Sequence, residues 1–167
     1  MKTHDYLLYA AFALLSHTAQ CAALILLLAA VGPTAEFPFS AACGLALGAV
    51  FIAALSFGFG RGLRPKNPLA KNTCWNAAMV LYILNLALFL LAPEPMAGEN
   101  IAAMLWNFPI APALTGAERI IGGQGTAYLF SGALLCAVEP LCFTLGLTCG
   151  AKPAATPDND KETTPNA

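Results

Sequence analysis

Charge is what this chain has least of: across 167 residues there are 8 Lys and Arg and 9 Asp and Glu, 10% of the sequence. A water-soluble domain of this length carries more than twice that share, so the composition excludes an ordinary soluble fold. The net charge of -1 and the lack of clustered excess Lys and Arg also exclude a nucleic-acid footprint. Paired cysteines are missing too. Cys21, Cys43, Cys74, Cys136, Cys142 and Cys149 stand singly in or beside apolar runs, with no CxxC pair, which argues against a disulfide framework and a thiol-redox enzyme. They read as small apolar packing residues.

Catalytic signatures are absent as well. No aspartate lies inside a long apolar run, which excludes a paired-aspartate membrane protease, and no serine has the surroundings of a nucleophile elbow. Gly122-Gly123-Gln124-Gly125 has neither the Lys nor the flanking strand of a phosphate-binding loop and reads as a flexible hinge. The expectation is therefore non-enzymatic, with no cofactor.

Long apolar stretches are what the chain does contain. At 1.5 Å per residue, about 20 apolar residues cross a hydrocarbon core about 30 Å thick. Four stretches qualify, at 6-31, 40-60, 73-92 and 126-149, each bounded by Pro, Gly or charge. The fold class expected is an all-α, polytopic membrane protein: a four-transmembrane-helix bundle occupying residues 1-150. Residues 151-167, rich in Pro, Thr, Asp and Asn, read as a disordered cytoplasmic tail.

Lys and Arg mark the cytoplasmic side of a membrane protein. The connector after the second span carries Arg61, Arg64, Lys66 and Lys71 without an acid, and Lys2, Lys152 and Lys161 fall on the same side of an even-numbered bundle. Only Arg119 is left opposite. The arrangement expected is N-in/C-in, multi-pass in a cell membrane, with a bacterial inner membrane as the location. Tyr6, Tyr9, Trp75 and Tyr128, near the span ends, read as interfacial anchors.

The outer connector, 93-125, is not uniformly polar. Ile101, Met104, Leu105 and Phe108 fall at helical spacing, with Trp106 beside them and Pro109 and Pro112 ending the pattern. This predicts a short interfacial helix, with a re-entrant segment as the alternative.

Ionisable residues inside spans are costly, about 2.5 to 3.5 kcal/mol at the bilayer centre, and mark candidate sites. Glu139 lies near the midpoint of the fourth span, His17 near that of the first and Asn85 near that of the third. Equal depth allows them to form one proton, ion or polar-network site. Pro140 follows Glu139 and lacks an N–H, so it leaves the Cys136 carbonyl bare and acts as a hinge. On the fourth helix Tyr128, Gly132, Leu135, Cys136, Glu139, Cys142, Phe143 and Gly146 share a face; on the first, Ala10, Ala13, His17, Gln20, Cys21 and Leu24 do. Gly44, Gly48, Gly132 and Gly146 read as helix-packing positions. His17, Cys21, Cys136 and Cys142 are the right donor types for a soft metal, but their spacing is too poor for a metal site to be expected.

The function expected is a small transport or permeation component with a protonatable mid-membrane site. The alternative is an accessory or structural subunit that binds another membrane protein through the Gly44/Gly48 face, with Glu139 as a packing residue. Partners expected are the lipid bilayer and either a second copy, as a homo-oligomer, or a membrane-protein partner; the solute is not legible.

Overall fold

The computed structural model describes residues 3-31, 41-65, 69-93, 101-123 and 125-149, without the side chains of 28, 30, 31 and 41-44. The expected tail at 151-167, the first outer loop and residues 94-100 of the connector lie outside these. Among the described residues every regular element is helical. Four are long and apolar enough to cross a membrane: α1 (Thr3–Val31), α2 (Ala41–Gly62), α3 (Lys71–Leu91) and α6 (Thr126–Thr148). Between α3 and α6 lie α4 (Ile101–Trp106), a 3-10 turn (Phe108–Ile110) and α5 (Ala111–Ile121).

The long helices extend past their apolar stretches into polar termini such as Arg61 and Lys71, because helical hydrogen bonding continues beyond the hydrophobic residues. They alternate in direction. Tyr9 of α1 meets Thr144 of α6, and Tyr6 meets Asn76 of α3, at one end of the bundle. Tyr128 of α6 meets Pro93 after α3 at the other. Helix α6 is the most enclosed, with 44% of its span buried against 28%, 17% and 28% for α1, α2 and α3.

Close contact around α6 relies on glycine. A Cβ on Gly146 would strike the Phe57 carbonyl of α2, and one on Gly60 would strike the Phe143 carbonyl of α6. The two backbones therefore touch. Gly132 accommodates the ring of Phe89, which is fully buried. Gly48 faces α5, where an added Cβ would come within 2.8 Å of the Ala113 nitrogen. The face containing Gly48, read from sequence as a place for an outside partner, is thus covered by the chain's own connector. The packing of Gly44 lies outside the described side chains.

The connector departs from the sequence reading. The expected short helix is α4, which ends at Trp106 ahead of Pro109, but Pro109 and Pro112 then each sit at the start of a new helical element. A first-turn proline needs no N–H because no intrahelical acceptor exists for it there. Helix α5 buries Ala111, Ala113, Leu114, Gly116 and Ala117 and ends at Gly122, whose φ of 79° is left-handed. Small residues let this helix lie close against α2. Tyr9 and Tyr128, at the two ends of the bundle, are 1% and 0% exposed, packed against the chain's own helices. Each ring turns inward because its hydroxyl has a partner there, Thr144 Oγ1 at 2.9 Å and the Pro93 carbonyl at 2.6 Å.

Candidate functional site

Burial on α1 selects Tyr9, Ala13, Ser16, His17, Gln20 and Leu24, a stripe at three- and four-residue intervals. On α6 it selects the face through Gly132, Cys136, Glu139 and Phe143, while Leu129, Leu134, Leu141 and Leu145 remain exposed. The two stripes meet at His17 and Glu139, 7% and 5% exposed. Nδ1 of His17 lies 3.1 Å and 3.0 Å from the two carboxylate oxygens. An imidazole nitrogen centred on both oxygens of a carboxylate carries the proton and donates it.

Gln20, one turn along α1 from Ser16, completes the first layer. Its Nε2 lies 3.2 Å from Glu139 Oε1, from Ser16 Oγ and from Ser56 Oγ of α2. Three helices are joined through one amide. Ser56 is fully buried and is the polar side chain that α2 contributes to this network. Two buried atoms of this layer have no hydrogen-bond partner among the described residues, His17 Nε2 and Gln20 Oε1.

Asn85 joins by a different route. Pro140 has no N–H to offer the carbonyl of Cys136, and the Asn85 amide supplies the missing donor at 3.3 Å. Glu139 faces His17 and Gln20 instead. Cys136 Sγ lies 3.7 Å from the Asn85 carbonyl, so α3 and α6 bond reciprocally. Helix α6 runs through Pro140 as one continuous helix.

Sequence reasoning missed Ser16, Ser56 and, above all, Trp106. Its indole stacks on the His17 imidazole, with ring centroids 4.3 Å apart and planes 20° from parallel, and its N–H donates to Asn85 Oδ1 at 2.9 Å. A residue assigned to an interfacial helix, half-buried here, therefore joins His17 to Asn85. Asn107 fixes the segment by donating to the carbonyls of Leu88 at 3.1 Å and Ala92 at 3.4 Å. A polar pair, Trp106-Asn107, between apolar residues and a proline was the available signal. Its helical spacing pointed to a surface helix because amphipathic spacing cannot say whether the polar side meets water or a buried partner.

His17, Asn85, Trp106, Asn107, Cys136 and Glu139 surround a small cavity together with apolar residues of the 3-10 turn. It leaves about 10 Å³ for the centre of a water-sized species, the space of one such species. Among the described residues no three His, Cys, Asp or Glu side chains converge as metal ligands. Cys21 and Cys142 are half-buried, Cys136 buried, and of the four soft-metal candidates Cys136 shares the cavity with His17.

Chemically, the arrangement can hold a proton. With Nδ1 donating to an ionised Glu139, His17 Nε2 is either a bare lone pair, giving the pair a charge of -1, or a second N–H, making the pair neutral. No protein-family model, curated protein or solved structure matches the chain, so its own residues carry the functional reading.

Proposed function

We propose that this is a multi-pass membrane protein, oriented N-in/C-in, that acts as a small transport or permeation component with the His17–Glu139 pair as its proton or cation site. The carrying observation is the buried pair whose second imidazole nitrogen, Nε2, makes no hydrogen bond among the described residues, Cys21 being the other side chain beside the ring. A net charge of -1 in a membrane interior is expensive, so uptake of one proton or one monovalent cation is the change that burial favours. Gln20 steadies the carboxylate, Asn85 secures the backbone beside Pro140, and Trp106 covers the imidazole.

The distribution of Lys and Arg supports the orientation, with Arg61, Arg64, Lys66 and Lys71 in the cytoplasmic connector. The cavity has space for about one water-sized species, so the pathway proposed involves a second copy of the chain or movement of the α4–α5 segment. The inner membrane of a bacterium is the location this reading assigns.

Glu139→Gln tests it, because glutamine retains an acceptor for His17 but cannot ionise. In vesicles containing equal amounts of inserted protein, proton-coupled flux should disappear in the variant. Equal flux in the two proteins would defeat the proposal. A second reading, an accessory subunit with Glu139 as a packing bond, draws on the engagement of both carboxylate oxygens. It predicts no flux in the unaltered protein and a loss of thermal stability in Glu139→Gln.

A further inference from the structure

We infer that Cys21 is a nucleophilic thiol, served by His17 as its base, that takes up membrane-soluble α,β-unsaturated carbonyl compounds such as the enals of oxidised lipid. This goes beyond the transport reading: the same histidine is used, but no flux is required.

Cys21 lies one turn beyond His17 on α1, and because Cα–Cβ bonds tilt towards a helix N-terminus, its side chain leans back over that of His17. The thiol is beside the imidazole. Glu139 takes the Nδ1 proton, so Nε2 presents a lone pair, and on a ring more than nine-tenths buried it makes no hydrogen bond among the described residues. An unpaired acceptor and a thiol therefore share one turn of helix. Carboxylate, imidazole and thiol in this order hold a base in one tautomer and turn its free nitrogen on a nucleophile. Among the other described cysteines, Cys136 turns its thiol to the Asn85 carbonyl, and Cys142, half-buried like Cys21, has burial alone acting on it.

Position and chemistry select the substrate. Cys21 is half-buried, while Thr18 and Ile25, three residues before and four after it, are exposed, so the thiol stands at the edge of the surface that α1 turns to lipid. Apolar reagents reach it from there. Acyl transfer or disulfide exchange would expel an anionic leaving group into the membrane interior, where charge is costly. Addition to an activated alkene expels nothing. The thiol proton moves to Nε2, the thiolate Sγ bonds to the β carbon, the C=C π bond breaks, and the proton passes from Nε2 to the α carbon. Thiolate and imidazolium are both discharged, and His17 returns to its starting state.

Alkylation of the full chain in bilayers, followed peptide by peptide by mass spectrometry, tests this. N-ethylmaleimide, a membrane-permeant activated alkene, should modify Cys21 at least about tenfold faster than Cys142, well within what a positioned base supplies. Nonenal, an apolar enal, should protect Cys21 when added in excess, and a sulfonated maleimide should leave it unmodified. His17→Phe, which keeps an aromatic ring but lacks the base, should slow modification of Cys21 at least about tenfold. The rate at Cys142 should stay unchanged in that variant, which also reports an intact bundle.

Equal rates at Cys21 and Cys142 in the unaltered protein would overturn the activated thiol, and an undiminished Cys21 rate in His17→Phe would overturn the base. Failure of nonenal to protect, or modification by the sulfonated reagent, would overturn the membrane-borne substrate. If His17→Phe does not fold, the rates at Cys21 and Cys142 and the protection by nonenal in the unaltered protein decide alone. The outcomes separate from those for transport: a fast Cys21 without flux contradicts the transport reading alone, while proton flux with a slow Cys21 contradicts this inference alone.

Discussion

Glu139 and Gly146 lie two turns apart on one face of α6, and they hold neighbouring helices by opposite means. At Gly146 the backbones of α6 and α2 touch directly, with Gly60 making the reciprocal gap. At Glu139 the helices are joined through side chains, with His17, Gln20 and Ser56 bonded to one another or to the carboxylate. The comparison shows how a chain with few charges can specify one arrangement of apolar helices. Lipid tails are as apolar as leucine, so burial alone does not favour one helix pairing over another. Close backbone packing and directional bonds do.

The two regions should respond differently to substitution. Gly146→Leu places a branched side chain where even a Cβ strikes the Phe57 carbonyl, so α2 and α6 must separate. A loss of about 3 kcal/mol is expected, read as a lower thermal midpoint in detergent. Unchanged stability would show that the α2–α6 crossing has room for a side chain at Gly146.

Asn85→Ala acts on the polar region more weakly. It removes the donor to the Cys136 carbonyl and the acceptor of the Trp106 indole together, at a cost of about 1 kcal/mol, since polar contacts between membrane helices are individually modest. Release of the indole should also shift Trp106 emission. A stability loss with no spectral change would separate the helix contact from the connector contact. The smallest effect is expected at Gly58, two residues from Gly60. An added Cβ there meets nothing within 4 Å, so Gly58→Leu should change stability by less than about 0.5 kcal/mol.

Gly58 and Gly60 also show what a sequence can and cannot tell. Both are apolar-span glycines, and only the register of α2 against α6 makes one a contact and the other a free position. The four long helices follow from hydrophobic run length, a property of each segment by itself. Faces were legible for the same reason: spacing on α6 groups Gly132, Cys136, Glu139 and Phe143 before any partner is known. The His17–Glu139 contact required one further step, matching depth across two spans. Spacing also put Gln20 on the His17 face, but Ser56 and Trp106 were not legible, because they become neighbours only when α2 and the connector are placed.

Asn85 illustrates the boundary. Depth matching grouped it with Glu139, yet its actual partner is the carbonyl that Pro140 leaves without a donor. The missing bond was predictable from proline chemistry alone. Which side chain would supply it depended on how α3 is rotated.

The account depends on His17 giving Nδ1 to Glu139 and keeping Nε2 for a proton or cation. Nitrogen-15 magnetic resonance of the histidines, in bilayers, measures this directly; His4→Gln leaves His17 as the single histidine of the two in the chain. The account predicts an Nδ1 that stays protonated and an Nε2 that changes between bare and protonated as the proton load is varied. A bare Nδ1, or an Nε2 that never changes while flux continues, would contradict it.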